Sequence, residues 1–351
     1  MSSARRRVSL VAEGPTRLSA LRGLLPLFDV VVVVRRGDEG DDVIRLARKS
    51  GVPVVDCESV TDLEQVLERY DPEIVAVSSY SRIIPRRLLE RWDFINVHYS
   101  PLPAYRGRAN VNWAIINGED IAAITVHRIA PGLDAGPILI QRQVSIGARS
   151  TITEIYATLN GIQEEILGHA IQLRLDGADG QPQDESRATY GCTRVAEDGL
   201  IDWRAPTITI DRLVQALARP FPEAFTYLDL RRVGILNAEP VDDPPVYVGR
   251  VPGRVVRIDR DEGSVDVLTG DGVLRLLRIE VDGRAMRPAD LVRSVRATFG
   301  VSVTELVEVL RSLRDEASQG LVLSSRRGAG SAGRDANDGA SPETPGQEGP
   351  K

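Results

Sequence analysis

The chain predicts an α/β fold: a doubly wound parallel sheet, then a small β-barrel, then a disordered tail. Three features lead there. Short continuous apolar runs alternate with helix-period segments through the first half, the pattern of a parallel sheet covered on both faces. Five short β-runs separated by Gly and Asp turns fill the second half. Beyond about Leu321 the chain turns to Ser, Gly, Ala, Asp and Pro with no apolar periodicity.

Residues 7–12 read as a buried strand ending at Glu13-Gly14-Pro15, and a helical segment follows from Thr16 to Leu25. Asp29 to Val34 is the second strand, and Asp41 to Ser50 the next helix. Val52 to Val55 is a short strand, with Pro53 at its start or on a sheet edge. The following helix begins at Thr61, where Thr61-x-x-Glu64 has the form of a capping box. Glu73 to Ser78 is the fourth strand and Ile95-Asn96-Val97 the fifth. Ligands of such sheets bind beyond the carboxyl ends of the strands, so Ser78–Ser81 and Asn96–Pro103 mark the candidate site. Ala122 to Val126 and Ile138 to Ser145 are further strands. A long helix runs from about Thr151, capped by a second Thr-x-x-Glu to Glu154, as far as Leu175.

Polar sequence from Asp176 to Arg187 begins a connection. The second part opens with a helix, Ile210 to Ala218. Its β-runs are Ala224–Tyr227, Val233–Ala238, Gly253–Ile258, Ser264–Leu268 and Val273–Glu280, which a sandwich accommodates nearly as well as a barrel. The expected division is a catalytic domain over 1–187, a linker over 188–205, a barrel over 206–315 and the tail over 316–351.

Composition narrows the function classes. The 351 residues suffice for two apolar cores. A net charge of −6 argues against nucleic acid as an obligatory partner. Lys49 and Lys351 are the only lysines, so arginine clusters carry little weight as binding signals; from 200 to 300, 15 Arg face 15 Asp plus Glu. No apolar run approaches the ~18 residues of a membrane span. The basic N-terminus is followed by apolar residues broken at Glu13, Gly14 and Pro15, so no signal peptide is expected. Cys57 and Cys192 lie far apart without metal or redox spacing, and the expected location is the cytoplasm, with no metal bound.

Chemistry concentrates at Asn96-Val97-His98, followed by Pro101-Leu102-Pro103-Ala104-Tyr105-Arg106-Gly107 and by Asp134. There are three histidines in all: His98, His127 and His169. Alone, an Asn-x-His pair is a strand end and a loop histidine. Here the pair sits at a strand's carboxyl end, and Thr125-x-His127 precedes Asp134-x-Gly136. The joint pattern resembles the formyltransferases that use N10-formyltetrahydrofolate, including Trp113-Ala-Ile-Ile-Asn-Gly118 between the two segments. The resemblance covers about residues 5–300; Pro101 departs from it, since most relatives have leucine there.

The resemblance implies a Rossmann-like catalytic domain, an OB-like barrel, and N10-formyltetrahydrofolate as co-substrate. It implies Asn96, His98 and Asp134 as catalytic residues. A formamide carbonyl is a poor electrophile, so the Asn96 amide and a protonated His98 would stabilise its oxyanion, each by ~2–4 kcal/mol. Asp134 would favour the charged imidazole and pass the amine's proton onward through water. Ser81, Arg82, Ile83 and Ile84 would contact the pterin on one side, and the loop Ile129-Ala130-Pro131-Gly132-Leu133 on the other. Ser100, Tyr105, Arg106 and Gly107 would shape the loop over the site, with Arg106 or Arg108 available to an anionic acceptor. His127 reads as structural, orienting the Asp134 loop; His169 reads as a surface or packing residue and Trp113 as packing.

The acceptor divides the resemblance. Methionyl-tRNA formyltransferases carry a long basic loop after the second strand, where this chain has Arg35-Arg36-Gly37-Asp38-Glu39-Gly40-Asp41-Asp42, short and largely acidic. Acidic groups repel phosphates. Tyr190 to Trp203, then Arg219-Pro-Phe-Pro222, are similar to formyltransferases acting on nucleotide-linked amino sugars. The expectation is therefore a small-molecule amine such as a nucleotide-linked amino sugar. Methionyl-tRNA is the alternative and a non-catalytic folate-binding module the second alternative, disfavoured because Asn96, His98 and Asp134 occur together. No membrane partner is expected, and the barrel could serve as a homodimer surface.

Overall fold

The computed structural model describes residues 5–35, 42–219 and 221–314. In chain order the first half runs β1 (Arg7–Ala12), α1 (Arg17–Leu24), β2 (Asp29–Arg35), α2 (Asp42–Lys49), β3 (Val54–Asp56), α3 (Val60–Tyr70), β4 (Ile74–Ser78) and α4 (Arg86–Leu89). It continues with β5 (Asp93–His98), β6 (Arg106–Gly107), α5 (Asn110–Asn117), β7 (Ile121–Arg128), β8 (Ile138–Ser145), α6 (Ile152–Leu175) and β9 (Tyr190–Gly191). One seven-stranded sheet has the order β3-β2-β1-β4-β5-β7-β8, while β6 pairs with β9.

The first five strands of that order are parallel, as their apolar runs predict. β7 is antiparallel to β5, and β8 antiparallel to β7. The connection 129–137 is too short for a crossover helix, so β7 and β8 form a hairpin. Successive residues of each strand face opposite layers. Leu10 packs with Leu21, Leu24, Leu159 and Leu167 on the α1/α6 side. Val11 packs with Leu63, Leu67, Leu88 and Phe94 on the α3/α4 side. Each such fully buried side chain stabilises the fold by about 1.5–3 kcal/mol. Where α1 crosses α6 the backbones touch: a Cβ on Gly23 would stand 2.8 Å from the Glu164 carbonyl oxygen.

Two helix starts test the capping patterns. Thr151 and Glu154 do form a capping box at the head of α6. The head of α3 does not use Thr61 and Glu64. Ser59 is the cap, its Oγ accepting from Asp62 N at 3.0 Å while Asp62 Oδ2 accepts from Ser59 N at 2.8 Å. The earlier start lets Asp62 also accept from Glu58 N, and Glu64 instead pairs with Arg87 and Arg91 of the neighbouring segment.

The second half contains α7 (Thr207–Ala216), β10 (Ala224–Leu228), β11 (Arg231–Pro240), β12 (Val255–Ile258), β13 (Val265–Leu268), β14 (Val273–Val281), β15 (Arg284–Met286) and α8 (Pro288–Leu291). Its strands form one antiparallel sheet in the order β10-β11-β14-β13-β12, with β15 on β14. A single sheet excludes the sandwich. It is bulged in β11 and β12 and encloses one apolar cluster that includes Trp203, Val233, Ile235, Val267, Leu276 and Phe299.

The two halves belong to one contact unit, Met1–Gly300. Arg149 pairs with the buried carboxylate of Asp211 on α7 at 2.6 Å and donates to the Ala238 carbonyl of β11 at 2.8 Å. Asn112 of α5 donates to the carbonyl of Ala216, the last residue of α7, at 2.7 Å. Burial lifts the Asp211 carboxyl above its ordinary range, though Arg149 pulls it back. Residues 303–314 are helical and belong to a second unit that begins at Val301. The tail over 316–351 lies outside the described residues, as do 36–41 of the acidic loop. Among the described residues no helix is long and apolar enough to cross a membrane.

Candidate active site

Asn96 and His98 are alternate residues of β5 and share one face of the sheet. β7 lies beside them, with His127 opposite Asn96 and Thr125 opposite His98. His127 is 1% exposed, with Nδ1 2.9 Å from the Arg128 carbonyl oxygen and Nε2 3.2 Å from Asn96 Nδ2. A carbonyl only accepts, so Nδ1 carries the proton and Nε2 offers a lone pair to the Asn96 amide. Burial, then the neighbouring His98, push the His127 imidazole down to about 4, against the pull of Asp134. It is neutral near pH 7, and it fixes the Asn96 amide with its NH2 end toward the imidazole.

Asp134 arrives on the β7–β8 connection. Its Oδ2 stands 3.7 Å from His98 Nδ1 and its Oδ1 3.9 Å from His127 Nε2, while Gly107 N donates to Oδ2 at 2.8 Å. Asp134 adopts φ 49°, a left-handed conformation that costs a non-glycine residue about 1–3 kcal/mol. Gln183 Nε2 holds that turn by donating to the Asp134 and Gly136 carbonyls, both at 2.7 Å. Gly136 has no alternative, since a Cβ there would lie 1.7 Å from the Arg128 carbonyl oxygen.

Arg106 does not reach the cavity. It is 1% exposed and spends its guanidinium on Gln183 at 2.8 Å and on Glu185 at 2.6 and 2.8 Å. The sequence expectation that it could meet an anionic acceptor is corrected on that ground: Arg106 holds Gln183, which holds the Asp134 turn. Gln183 and Glu185 lie in the polar connection, and no local pattern flags them. Ser100 is buried away from the cavity, its Oγ donating to the Ala104 carbonyl. Tyr105 meets His98 Nε2 through its carbonyl oxygen at 3.0 Å, and its hydroxyl donates to Glu119. Trp113 donates to the Cys192 carbonyl, and His169 is exposed on α6.

Asn96, His98, His127 and Asp134 open together into a cavity of about 770 Å3, within the range of cofactor and ligand sites. Ser81, Arg82, Ile83 and Ile84 line one side; Ile129, Pro131, Gly132 and Leu133 line the other. Gly107 and Arg108 also line it, and Arg108 donates to the Ser81 carbonyl at 2.8 Å. Thr16, Tyr99 and Tyr156 border a polar floor in which Thr16 Oγ1 meets Ser78 and Ser79, and the Tyr99 hydroxyl lies 2.7 and 2.8 Å from the side-chain oxygens of Asn160 and Gln163. Asn110, at the head of α5, reaches His98 Nε2 at 2.9 Å, a contact the sequence pattern does not reveal. Amide and imidazole donors beside a carboxylate, at the side of an apolar-walled cavity, suit stabilising an oxyanion and moving a proton.

Two family patterns match the chain in tandem: formyl transferase over residues 31–171 and formyl transferase, C-terminal domain, over 195–296. The methionyl-tRNA formyltransferase of Caldanaerobacter subterraneus is 32% identical over 271 residues, covering 73% of this chain and 85% of that protein. HypX from Aquifex aeolicus, solved in complex with tetrahydrofolic acid, shares the fold at a TM-score of 0.59 and 19% identity. The match covers 84% of this chain and 48% of that one, so this chain spans about half of HypX. WlaRD, a sugar 3N-formyl transferase, aligns at a TM-score of 0.57 and 16% identity over 80% of this chain and 100% of that chain. A cavity built on a Rossmann-like sheet, followed by an antiparallel β-domain, with both halves matched in order, places this chain in the formyl transferase family.

Proposed function

We propose that this chain transfers the formyl group of N10-formyltetrahydrofolate to the amino group of methionyl-tRNA. The observation that carries the acceptor is the relation to methionyl-tRNA formyltransferases, which extends over 85% of the Caldanaerobacter protein and through both halves of this chain. The amino-sugar acceptor favoured by the sequence becomes the second reading. It rests on the short acidic segment after β2, Asp38-Glu39-Gly40-Asp41-Asp42, which would repel tRNA phosphates. In favour of tRNA, Arg250 and Arg254 of the second half bond carbonyl and hydroxyl oxygens instead of carboxylates, leaving their charge for phosphates.

The cavity fits the donor. Its walls, Ile83–Ile84 and Pro131–Leu133, are apolar and offer backbone polar groups, as a pterin edge requires. The bound donor supplies an activated formyl group. The Asn96 amide and the His98 Nδ1 side would face the oxygen that becomes negative when the amine attacks. Asp134, within reach of both imidazoles, would take the amine's proton through water. Arg106, through Gln183, keeps Asp134 in register.

The test is formyl transfer from N10-formyltetrahydrofolate to charged initiator tRNA, compared with nucleotide-linked amino sugars at varied salt. Robust transfer to tRNA that falls steeply with salt supports the proposal. Transfer only to the sugar nucleotide, with a shallow salt response, replaces it by the second reading. Tetrahydrofolate release no greater than that of a His98→Ala variant, whatever the amine, overturns both.

A further inference from the structure

The geometry points to Asn110 as a positioning residue that decides which ring nitrogen of His98 carries the proton. This rests on the reading of His98 as a catalytic group for its consequence in turnover, though not for the contact itself.

Asn110 is the first residue of α5 and is 8% exposed. It follows Ala109, whose φ of 58° turns the chain sharply into the helix with no side-chain cap. That turn directs the Asn110 amide inward. Its Nδ2 stands 2.9 Å from His98 Nε2 and 3.2 Å from the Gly107 carbonyl oxygen, while its Oδ1 is buried without a partner.

Hydrogen-bond accounting fixes the direction. The Gly107 carbonyl can only accept, so the amide edge facing it is the NH2 group. The same NH2 faces His98 Nε2, which must then present a lone pair. The imidazole proton of neutral His98 is thereby placed on Nδ1, the nitrogen 3.7 Å from Asp134 Oδ2. A second neighbour pulls the other way: the Tyr105 carbonyl oxygen, 3.0 Å from Nε2, would accept a proton held there. Two groups of opposite sense converge on one nitrogen. Turning the amide over would satisfy an Nε2–H, but it would set Oδ1 against the Gly107 carbonyl oxygen. The observed orientation therefore favours the Nδ1–H form. It leaves His98 a donor on its Asp134 side and keeps Nε2 engaged, so the amine's proton has Asp134 as its acceptor.

His127 shows the same device with an independent carbonyl, since Asn96 donates to its Nε2 while its Nδ1 donates to Arg128. The two amides thus set both imidazoles to the Nδ1–H form, aligned around one carboxylate. His98 differs in that the Tyr105 carbonyl competes, so the state of His98 depends on Asn110 in a way that can be switched.

The experiment uses the full chain labelled with 15N-histidine. Long-range 1H–15N spectra, recorded well above the ordinary imidazole range, report the tautomer of each ring. With three histidines, His98→Gln assigns the relevant signals. The wild type should show His98 protonated on Nδ1, with Nε2 pyridine-like. Asn110→Asp replaces the donor by an acceptor at Nε2 and should move the proton there. In turnover it should lower kcat roughly 10-fold or more with the donor KM nearly unchanged. Asn110→Ser keeps a donor on a shorter arm and should retain part of both the tautomer and kcat. Intact His127 signals in each variant show that the site is folded. A wild-type His98 protonated on Nε2, or a tautomer indifferent to Asn110→Asp, overturns the inference. A tautomer that moves while kcat stays fixed supports the positioning role and sinks the catalytic reading of His98.

Discussion

Acid should weaken this fold through His127 in a way that one substitution can isolate. His127 is held at about 4 in the folded protein, below the 6.5 of a free imidazole. The unfolded chain therefore takes up a proton at a pH where the folded one refuses it. Stability is full above the unfolded value and falls as pH drops from about 6.5 toward 4. The depression corresponds to about 3 kcal/mol across that window, a large share of the about 5–15 kcal/mol that holds a typical protein folded. The perturbation is His127→Asn, which removes the titrating ring and keeps a polar side chain. The assay is urea denaturation of both proteins at about pH 7.5, above the window, and at about pH 4.5, inside it. Carboxylates such as Glu73 and Asp271, held low by Arg6 and by Thr207, are common to both proteins and cancel in the comparison. The wild type should lose about 2–3 kcal/mol more than the variant on acidification. Equal losses would refute the assignment of a neutral buried imidazole and, with it, the orientation of Asn96.

Other perturbations give equally definite expectations. If Asn96 and His98 both serve one oxyanion as proposed, Asn96→Ala and His98→Ala should each lower kcat by about 100- to 1,000-fold, and together by less than the product; single-turnover kinetics checks this. Arg106→Met should cost about 2–4 kcal/mol in denaturation and also depress kcat, since Gln183 then loses its hold on the Asp134 turn. Gly136→Ala should lower stability by more than about 2 kcal/mol, because the new Cβ meets backbone and not a yielding side chain; its melting temperature reads this directly.

Most of the scaffold was legible because burial on both faces writes itself as continuous apolar sequence. β1, β2, β4 and α6 stand within a residue or two of where those runs place them. The antiparallel turn of β7 and β8 was not readable, since strand direction depends on the length of the connection and on where it returns. The start of α5 carries no capping signal in the sequence, because Ala109 enters the helix through a left-handed turn with no capping side chain. β15 is three residues long and exists only as an extension of β14. At the head of α3, Ser59-x-x-Asp62 and Thr61-x-x-Glu64 are two overlapping capping patterns, and only the packing of the helix selects between them. In the site, Asn96, His98 and Asp134 could be named from their spacing within a recognised pattern. The residues that aim them could not. Gln183 and Arg106 meet across 77 positions, and Asn110 meets His98 only because a turn folds it back.

α5 is held from two directions, by Asn110 at the imidazole and by Asn112 at the end of α7. Ala216 of α7 lies in the same apolar cluster as Leu10 and Ile124 of the first sheet. The second half thus acts as a splint for the candidate site. Exchanging it for that of a relative should preserve the hold on α5 only when the graft supplies, at the end of an intact helix, a carbonyl that accepts from Asn112 as Ala216 does. A cut through α7 would remove the support of Asn112 and loosen the helix that brings Asn110 to His98.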